Sequence, residues 1–217
     1  MTSIQLIDQL LVIPKLLSSF ECKTLIDYYD NKKEVALYER NVDANTNQPV
    51  STTFQVKTID ENTEAYSLAY KKVEEALSAW LKHLEVFNAF HVSRLAHKLN
   101  FPHSLRILKY DTGSFINPHT DFERFGFASC TLNLNSSYTG GEFSFFNKKY
   151  NVELGEGDAL VFPTNLFWIH EVLPILSGSR YAMNTFILSE PQNTEFMIGR
   201  VLQNVNYSKA FKVKKLT

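Results

Sequence analysis

The sequence predicts an α+β fold, mainly β, with helices first and strands later. Two observations carry this. Apolar residues recur at helical spacing as far as Leu84, and from Ser104 onward the period changes to two. Turn signals then punctuate the chain at short, even intervals with no helical stretch between them, which suggests two facing antiparallel sheets or a small barrel. A chain of 217 residues buries about 70% of its unfolded surface. One domain is expected, with supporting strands and helices over 1–103, a strand-rich core over 104–188 and a C-terminal extension over 189–217.

Each element has its own reason. Ser18-Ser19-Phe20-Glu21 has capping-box spacing, and Cys22, Leu25, Ile26 and Tyr29 follow on one helical face, so a first helix is predicted over about 19–30. The stretch 41–53 (NVDANTNQPVSTT) is polar and turn-rich and reads as an exposed loop between short strands. In a second helix, Tyr66, Tyr70, Val73, Leu77, Trp80 and Leu84 stack on one stripe while Lys71, Lys72, Glu74 and Glu75 face away. That stripe needs a sheet to cover. Strands are predicted over 105–110, 128–134, 142–146, 159–162 and 180–188. Between and beside them stand the turn signals Asp111-Thr112-Gly113, Thr139-Gly140-Gly141, Asn147-Lys148-Lys149, Gly155-Glu156-Gly157-Asp158 and Ser177-Gly178. The basic run 209–215 (KAFKVKK) reads as a solvated tail.

Composition narrows the function. Lys plus Arg is 22 and Asp plus Glu is 23, a net charge of -1 that offers no long-range attraction to nucleic acid or anionic lipid. The apolar stretch near the N-terminus is broken by Asp8, Pro14 and Lys15, so no secretory signal and no membrane span is expected. Cys22 and Cys130 form no CxxC pair and read as small buried apolar residues, which makes a reducing cytoplasm the simplest compartment.

The chemistry concentrates in Pro118-His119-Thr120-Asp121. In extended backbone, residues two apart project to the same face, so His119 and Asp121 can bind one ion together. His170, in Trp168-Ile169-His170-Glu171-Val172 on another predicted strand, supplies a third ligand. Two histidines and one carboxylate on one face of an octahedron leave three positions open, the site type of non-haem Fe(II) oxygenases. Ten residues beyond His170 lies Arg180. A guanidinium inside an apolar pocket needs an anion, and its planar fork fits a carboxylate. A lone HxD is common by chance, and His83, His91, His97 and His103 lie in or near the predicted second helix and its following loop, not beside a carboxylate on a predicted strand. The conjunction of HxD on one strand signal, a distal histidine on another and an arginine ten residues later on a third is far rarer than its parts.

At these residues the sequence resembles the prolyl 4-hydroxylase-like branch of the Fe(II)/2-oxoglutarate-dependent dioxygenases. The resemblance covers most of the chain and is densest in LRILKYDTGSFINPHTD (105–121), Gly140-Gly141-Glu142 and GDALVFPTNLFWIHEVLPILSGSRYAMNTFI (157–187). It implies a double-stranded β-helix, or jelly roll, with N-terminal supporting helices. It further implies that His119, Asp121 and His170 bind Fe(II) and that 2-oxoglutarate chelates the metal. Arg180 would hold its distal carboxylate, where many animal and plant prolyl hydroxylases have Lys. Tyr110, nine residues before His119, matches a tyrosine whose hydroxyl contacts the cosubstrate, and Trp168 either walls the pocket or packs in the core. The implied reaction uses O2, with ascorbate as an expected helper, and decarboxylates 2-oxoglutarate to succinate and CO2. Halogenases of the superfamily lack the carboxylate ligand; Asp121 is present, so hydroxylation is favoured. The implied substrate is a proline-containing peptide or protein, covered in that family by a loop placed where 41–53 stands. Two alternatives stay open: the same chemistry on a free amino acid or other small molecule, and a non-catalytic cupin-like metal or sugar-binding module. Arg180 and Tyr110 argue against the module.

Overall fold

The computed structural model describes residues 4–34, 36–39, 51–52, 54–121 and 126–189. The basic run 209–215 and most of the polar stretch 41–53 therefore lie outside the described residues. Three α-helices occur among them, α1 (Ser19–Asn31), α2 (Glu64–Val86) and the short α3 (Val92–Ala96), after a 3-10 turn over Leu6–Gln9. The strands are β1 (Leu11–Ile13), β2 (Leu37–Glu39), β3 (Phe54–Thr58), β4 (Phe101–Pro102), β5 (Arg106–Tyr110), β6 (Ile116–His119) and β7 (Gly126–Asn133). They continue as β8 (Tyr138–Gly140), β9 (Phe143–Phe145), β10 (Tyr150–Val152), β11 (Ala159–Pro163), β12 (His170–Val172), β13 (Ile175–Gly178) and β14 (Arg180–Leu188).

A large antiparallel sheet runs in the order β1-β11-β7-β14-β5-β3-β2, with β4 beside β14, and a smaller sheet runs β10-β9-β12-β6. The two sheets face each other across an apolar layer in which Phe145 of β9 meets Phe162 of β11 edge to face, ring centroids 5.1 Å apart. Helices α1 and α2 cover the other side of the large sheet. This is the expected jelly roll with supporting helices.

Helix α1 begins as predicted: Ser18 and Glu21 form a reciprocal capping box, and Cys22, Leu25 and Tyr29 are buried. The stripe of α2 is rotated from the predicted one. Ala65, Ala69 and Ala76 are buried with Val73, Leu77, Trp80, Leu81 and Leu84, whereas Tyr66 and Tyr70 are only partly buried. Small side chains let the helix axis approach the sheet, and the bulkier tyrosines sit at its flank. Lys72 does not face away either: its ammonium donates to the Leu16 carbonyl and pairs with Glu21 at 3.1 Å, joining α1 to α2.

Two predicted turn signals are partly strand. Thr139-Gly140 falls in β8 and Ser177-Gly178 in β13, and the two strands pair with one another. Gly178 has φ +76°, and a Cβ there would lie 2.4 Å from the Ser137 carbonyl, so only glycine lets the ribbons approach. The end of the polar stretch 41–53 is not exposed: Ser51 is buried and bridges to Ile116 of β6, and Thr52 exchanges hydrogen bonds with Phe115. Among the described residues no helix is long and apolar enough to cross a membrane. Leu77→Ala, at the centre of the helix-to-sheet core, lowers unfolding free energy by about 2–5 kcal/mol, measurable by urea titration.

Candidate active site

Strand pairing builds the metal-facing cluster. His170, the first residue of β12, stands opposite His119, the last residue of β6, and their rings lie 4.3 Å apart between centroids. Asp121 lies just past the end of β6 and not within it, a departure from the extended His-x-Asp expected, yet its carboxylate reaches both rings. His119 Nε2 is 3.4 Å from Asp121 Oδ1, and His170 Nε2 is 3.5 Å from Asp121 Oδ2. One ligand atom from each residue lies within 4.8 Å of the others. No other such group of His, Cys, Asp and Glu occurs among the described residues.

The far nitrogen of each ring is fixed by backbone. His119 Nδ1 lies 2.8 Å from the Asn117 carbonyl and His170 Nδ1 lies 3.1 Å from the Trp168 carbonyl. A carbonyl accepts only from N–H, so each Nδ1 carries the proton and each Nε2 turns its lone pair to the common point. Asp121 also accepts a hydrogen bond from buried Ser129 of β7.

The electrostatics follow from this crowding. Burial opposes ionisation of Asp121, but the charge of His170 and the bond from His119 outweigh it and hold the carboxyl below its usual range. Burial likewise opposes protonation of His119, yet its bond to Asp121 and that carboxylate's charge hold it above the ordinary imidazole value. His170 is lowered, because burial and the charge of His119 outweigh the pull of Asp121. The rings of Phe145 and Phe162 pack on His170 at 5.6 and 4.9 Å between centroids and keep this flank dry.

Arg180 opens β14 and is 1% exposed. Register places it opposite Tyr110 of β5, and its guanidinium carbon lies 5.8 Å from the Tyr110 ring and 5.0 Å from the Phe143 ring. Phe143 in turn stacks beside His170 at 6.3 Å. A single ring thus separates the guanidinium from a ligand histidine. The acceptors that Arg180 meets among the described residues are neutral: Nε donates to Asn133 Oδ1 at 3.0 Å and one terminal nitrogen to the Gly141 carbonyl at 3.1 Å.

The structure thus brings His119, Asp121, His170, Arg180 and Tyr110 to one inter-sheet space. Trp168 belongs to the core: 0% exposed, it packs on Phe145, Phe146 and Phe162, and it serves the site through its carbonyl. The other histidines lie elsewhere in the structure. His83 contacts the Asp8 carbonyl, His103 stacks on Phe186, and His91 and His97 flank α3. Sequence reasoning missed Ser129 and Asn133. Their signal was the alternation in β7, where Ala128, Cys130 and Leu132 face the helices and the polar Ser129, Thr131 and Asn133 face the site.

Residues 105–188 match the family model of the 2OG-Fe(II) oxygenase superfamily. The match spans the strand-rich core that carries the His119, Asp121 and His170 cluster. Among solved structures, the fold resembles that of a prolyl-4-hydroxylase from Pseudomonas putida at 20% identity, covering 83% of this chain and 92% of that one with a TM-score of 0.56. It also resembles a prolyl hydroxylase from Trichoplax adhaerens in complex with a hypoxia inducible factor peptide fragment, at 14% identity, 84% of each chain and a TM-score of 0.61. A viral collagen prolyl hydroxylase from Paramecium Bursaria Chlorella virus-1 aligns at 16% identity over 82% of this chain and 95% of that one, TM-score 0.56. No curated protein matches the chain in sequence.

The ligand set fits ferrous iron on the structure's own terms: two fixed imidazoles and one carboxylate whose ligand atoms gather at one point. His119→Ala, Asp121→Ala and His170→Ala each abolish tight Fe(II) binding in anaerobic titration, whereas His83→Ala binds as the unchanged chain does. Ser129→Ala keeps the ligands but frees Asp121, and lowers metal affinity by roughly 10- to 100-fold. Because a proton on His119 Nε2 competes with metal and its pKa is raised, affinity falls as pH drops from neutrality. The same titration at stepped pH reads this slope.

Proposed function

We propose that this protein is a 2OG-Fe(II) oxygenase that hydroxylates a prolyl residue within a peptide, using Fe(II), 2-oxoglutarate and O2. The observation that carries the cosubstrate assignment is Arg180, a buried guanidinium bonded to neutral acceptors one ring away from the metal-facing histidine. A buried cation of this kind calls for an anion, and the distal carboxylate of 2-oxoglutarate supplies one. A metal-binding module without turnover gives no reason for that cation. The peptidyl proline assignment is supported by likeness over most of the chain to prolyl hydroxylases, one of them carrying a peptide.

In this reading His119, Asp121 and His170 hold the iron, and Arg180 grips the far carboxylate of the cosubstrate with the Tyr110 hydroxyl beside it. Iron loaded with 2-oxoglutarate and O2 supplies the oxidative chemistry: one oxygen atom enters succinate as CO2 leaves, and the other enters a substrate C–H bond as hydroxyl. The chain's own work is positional. The backbone carbonyls of Asn117 and Trp168 keep the two imidazoles in the ligating tautomer. Ser129 steadies Asp121, and Phe143, Phe145 and Phe162 exclude water from the His170 side. Ascorbate belongs in the assay as the reductant that keeps iron ferrous.

Arg180→Ala strands the cosubstrate carboxylate and costs on the order of 2–5 kcal/mol, a loss of roughly 30- to several thousand-fold in 2-oxoglutarate affinity. Arg180→Lys retains part of it. Unchanged affinity in Arg180→Ala overturns the cosubstrate site. For the substrate, a proline-containing peptide library incubated with Fe(II), ascorbate and 2-oxoglutarate yields products heavier by one oxygen on proline, read by mass spectrometry with succinate release. Oxygen gained only by free amino acids or other small metabolites replaces the peptide reading with the small-molecule one.

A further inference from the structure

Asn133 is the most heavily bonded side chain near the site. It ends β7 and is 0% exposed. Its Nδ2 donates towards three backbone carbonyls, those of Asn135 at 2.8 Å and of Leu154 and Gly155 at 3.1 Å each. Its Oδ1 accepts from Arg180 Nε at 3.0 Å and from the Tyr138 hydroxyl at 3.1 Å. The three carbonyls fix which end of the amide points where, because only the N–H end can face them. The oxygen must then face Arg180.

This arrangement has a charge consequence. An aspartate of the same shape would turn an oxygen onto three carbonyl oxygens, so the surroundings select an amide. Arg180 is therefore held by a neutral partner, and its charge stays uncompensated by Asn133. The Gly141 carbonyl takes one further N–H of the guanidinium. That carbonyl is placed by a glycine at φ +75°, where a Cβ would lie 2.4 Å from the Ile175 side chain. Three N–H groups of Arg180 have no acceptor among the described residues, including the pair at the two terminal nitrogens that forms a fork for a carboxylate. The rings of Tyr110 and Phe143 bound the guanidinium.

We propose that Asn133, locked by Tyr138 and the three carbonyls, is the positioning residue that keeps Arg180 oriented and uncompensated, and so sets the preference of the site for a dicarboxylate 2-oxo acid. The inference rests on the cosubstrate reading of Arg180 and adds a device that acts through it. Asn133 does not touch the cosubstrate in this scheme. Its effect appears only when the ligand carries a distal carboxylate.

The test compares two ligands on the full chain loaded with Mn(II): 2-oxoglutarate and 2-oxopentanoate, which keeps the chelating end and lacks the distal carboxylate. Affinities are read by anaerobic calorimetry. The unchanged chain favours 2-oxoglutarate strongly. In Asn133→Ala that preference falls by about 10-fold or more while 2-oxopentanoate affinity holds, the size expected for loosening a hydrogen bond to a charged group. Tyr138→Phe, which keeps the amide and its carbonyl anchors, lowers the preference by about 3-fold and serves where Asn133→Ala does not fold. General damage to the fold weakens both ligands alike and leaves their ratio unmoved. A ratio equal to that of the unchanged chain in Tyr138→Phe, or in folded Asn133→Ala, overturns the proposal. Arg180→Ala separates the two levels: if it too leaves the ratio unchanged, the cosubstrate site itself is wrong; if it alone collapses the ratio, only the role of Asn133 fails.

Discussion

The pairing of β6 with β12 sets His119 opposite His170, and most of what the site can do depends on that register. A slip of one residue in either strand would turn one imidazole to the far side of the small sheet. The register is held from several sides. β12 also pairs with β9, whose Phe143 and Phe145 flank His170, and β6 is tied on its other edge by the bridge from Ser51. The irregularity between His170 and Val172 is confined to the β6 side of the strand. The cluster thus inherits its precision from backbone pairing, and loop conformation adds only Asp121.

The cationic end of the space is governed by the other sheet. Tyr110 and Arg180 are neighbours because β5 pairs with β14, and β14 is also paired with β7 along most of its length. Helices α1 and α2 press on the back of this sheet, so its inner face is a stiff wall. One wall presents a cation and the facing wall two imidazoles, with the Phe143 ring between them. Dividing the two charges between two sheets lets a small ligand span them without either group being displaced by its neighbour.

Much of this was legible in the sequence. The capping box at Ser18, the change of period near residue 104, the five strand segments and the His119, Asp121, His170 and Arg180 set were all readable, because each is a local pattern or a spacing. What escaped depends on tertiary neighbours. Tyr66 and Tyr70 fit a helical stripe as well as Ala65 and Ala69 do, and only the distance between α2 and the sheet selects the alanines. Lys72 looked solvated because nothing local marks Glu21, fifty-one positions away, as its partner. Ser129 and Asn133 looked like ordinary polar residues of a strand, since alternation fixes which face they share but not that this face is enclosed.

The same alternation separates two chemical environments across one strand thickness. Cys130 follows Ser129 directly, but its thiol points away from the histidine cluster into the dry core beneath the helices, where burial pushes its pKa up to about 12. Cys22 lies in that core too, raised to about 11. Thiols oxidise through the thiolate and through access to solvent, and both routes are closed here. The sheet therefore acts as a partition: an oxidant formed at the site by the proposed chemistry would meet imidazole, carboxylate and phenyl rings, while the thiols of Cys22 and Cys130 are held on the other side.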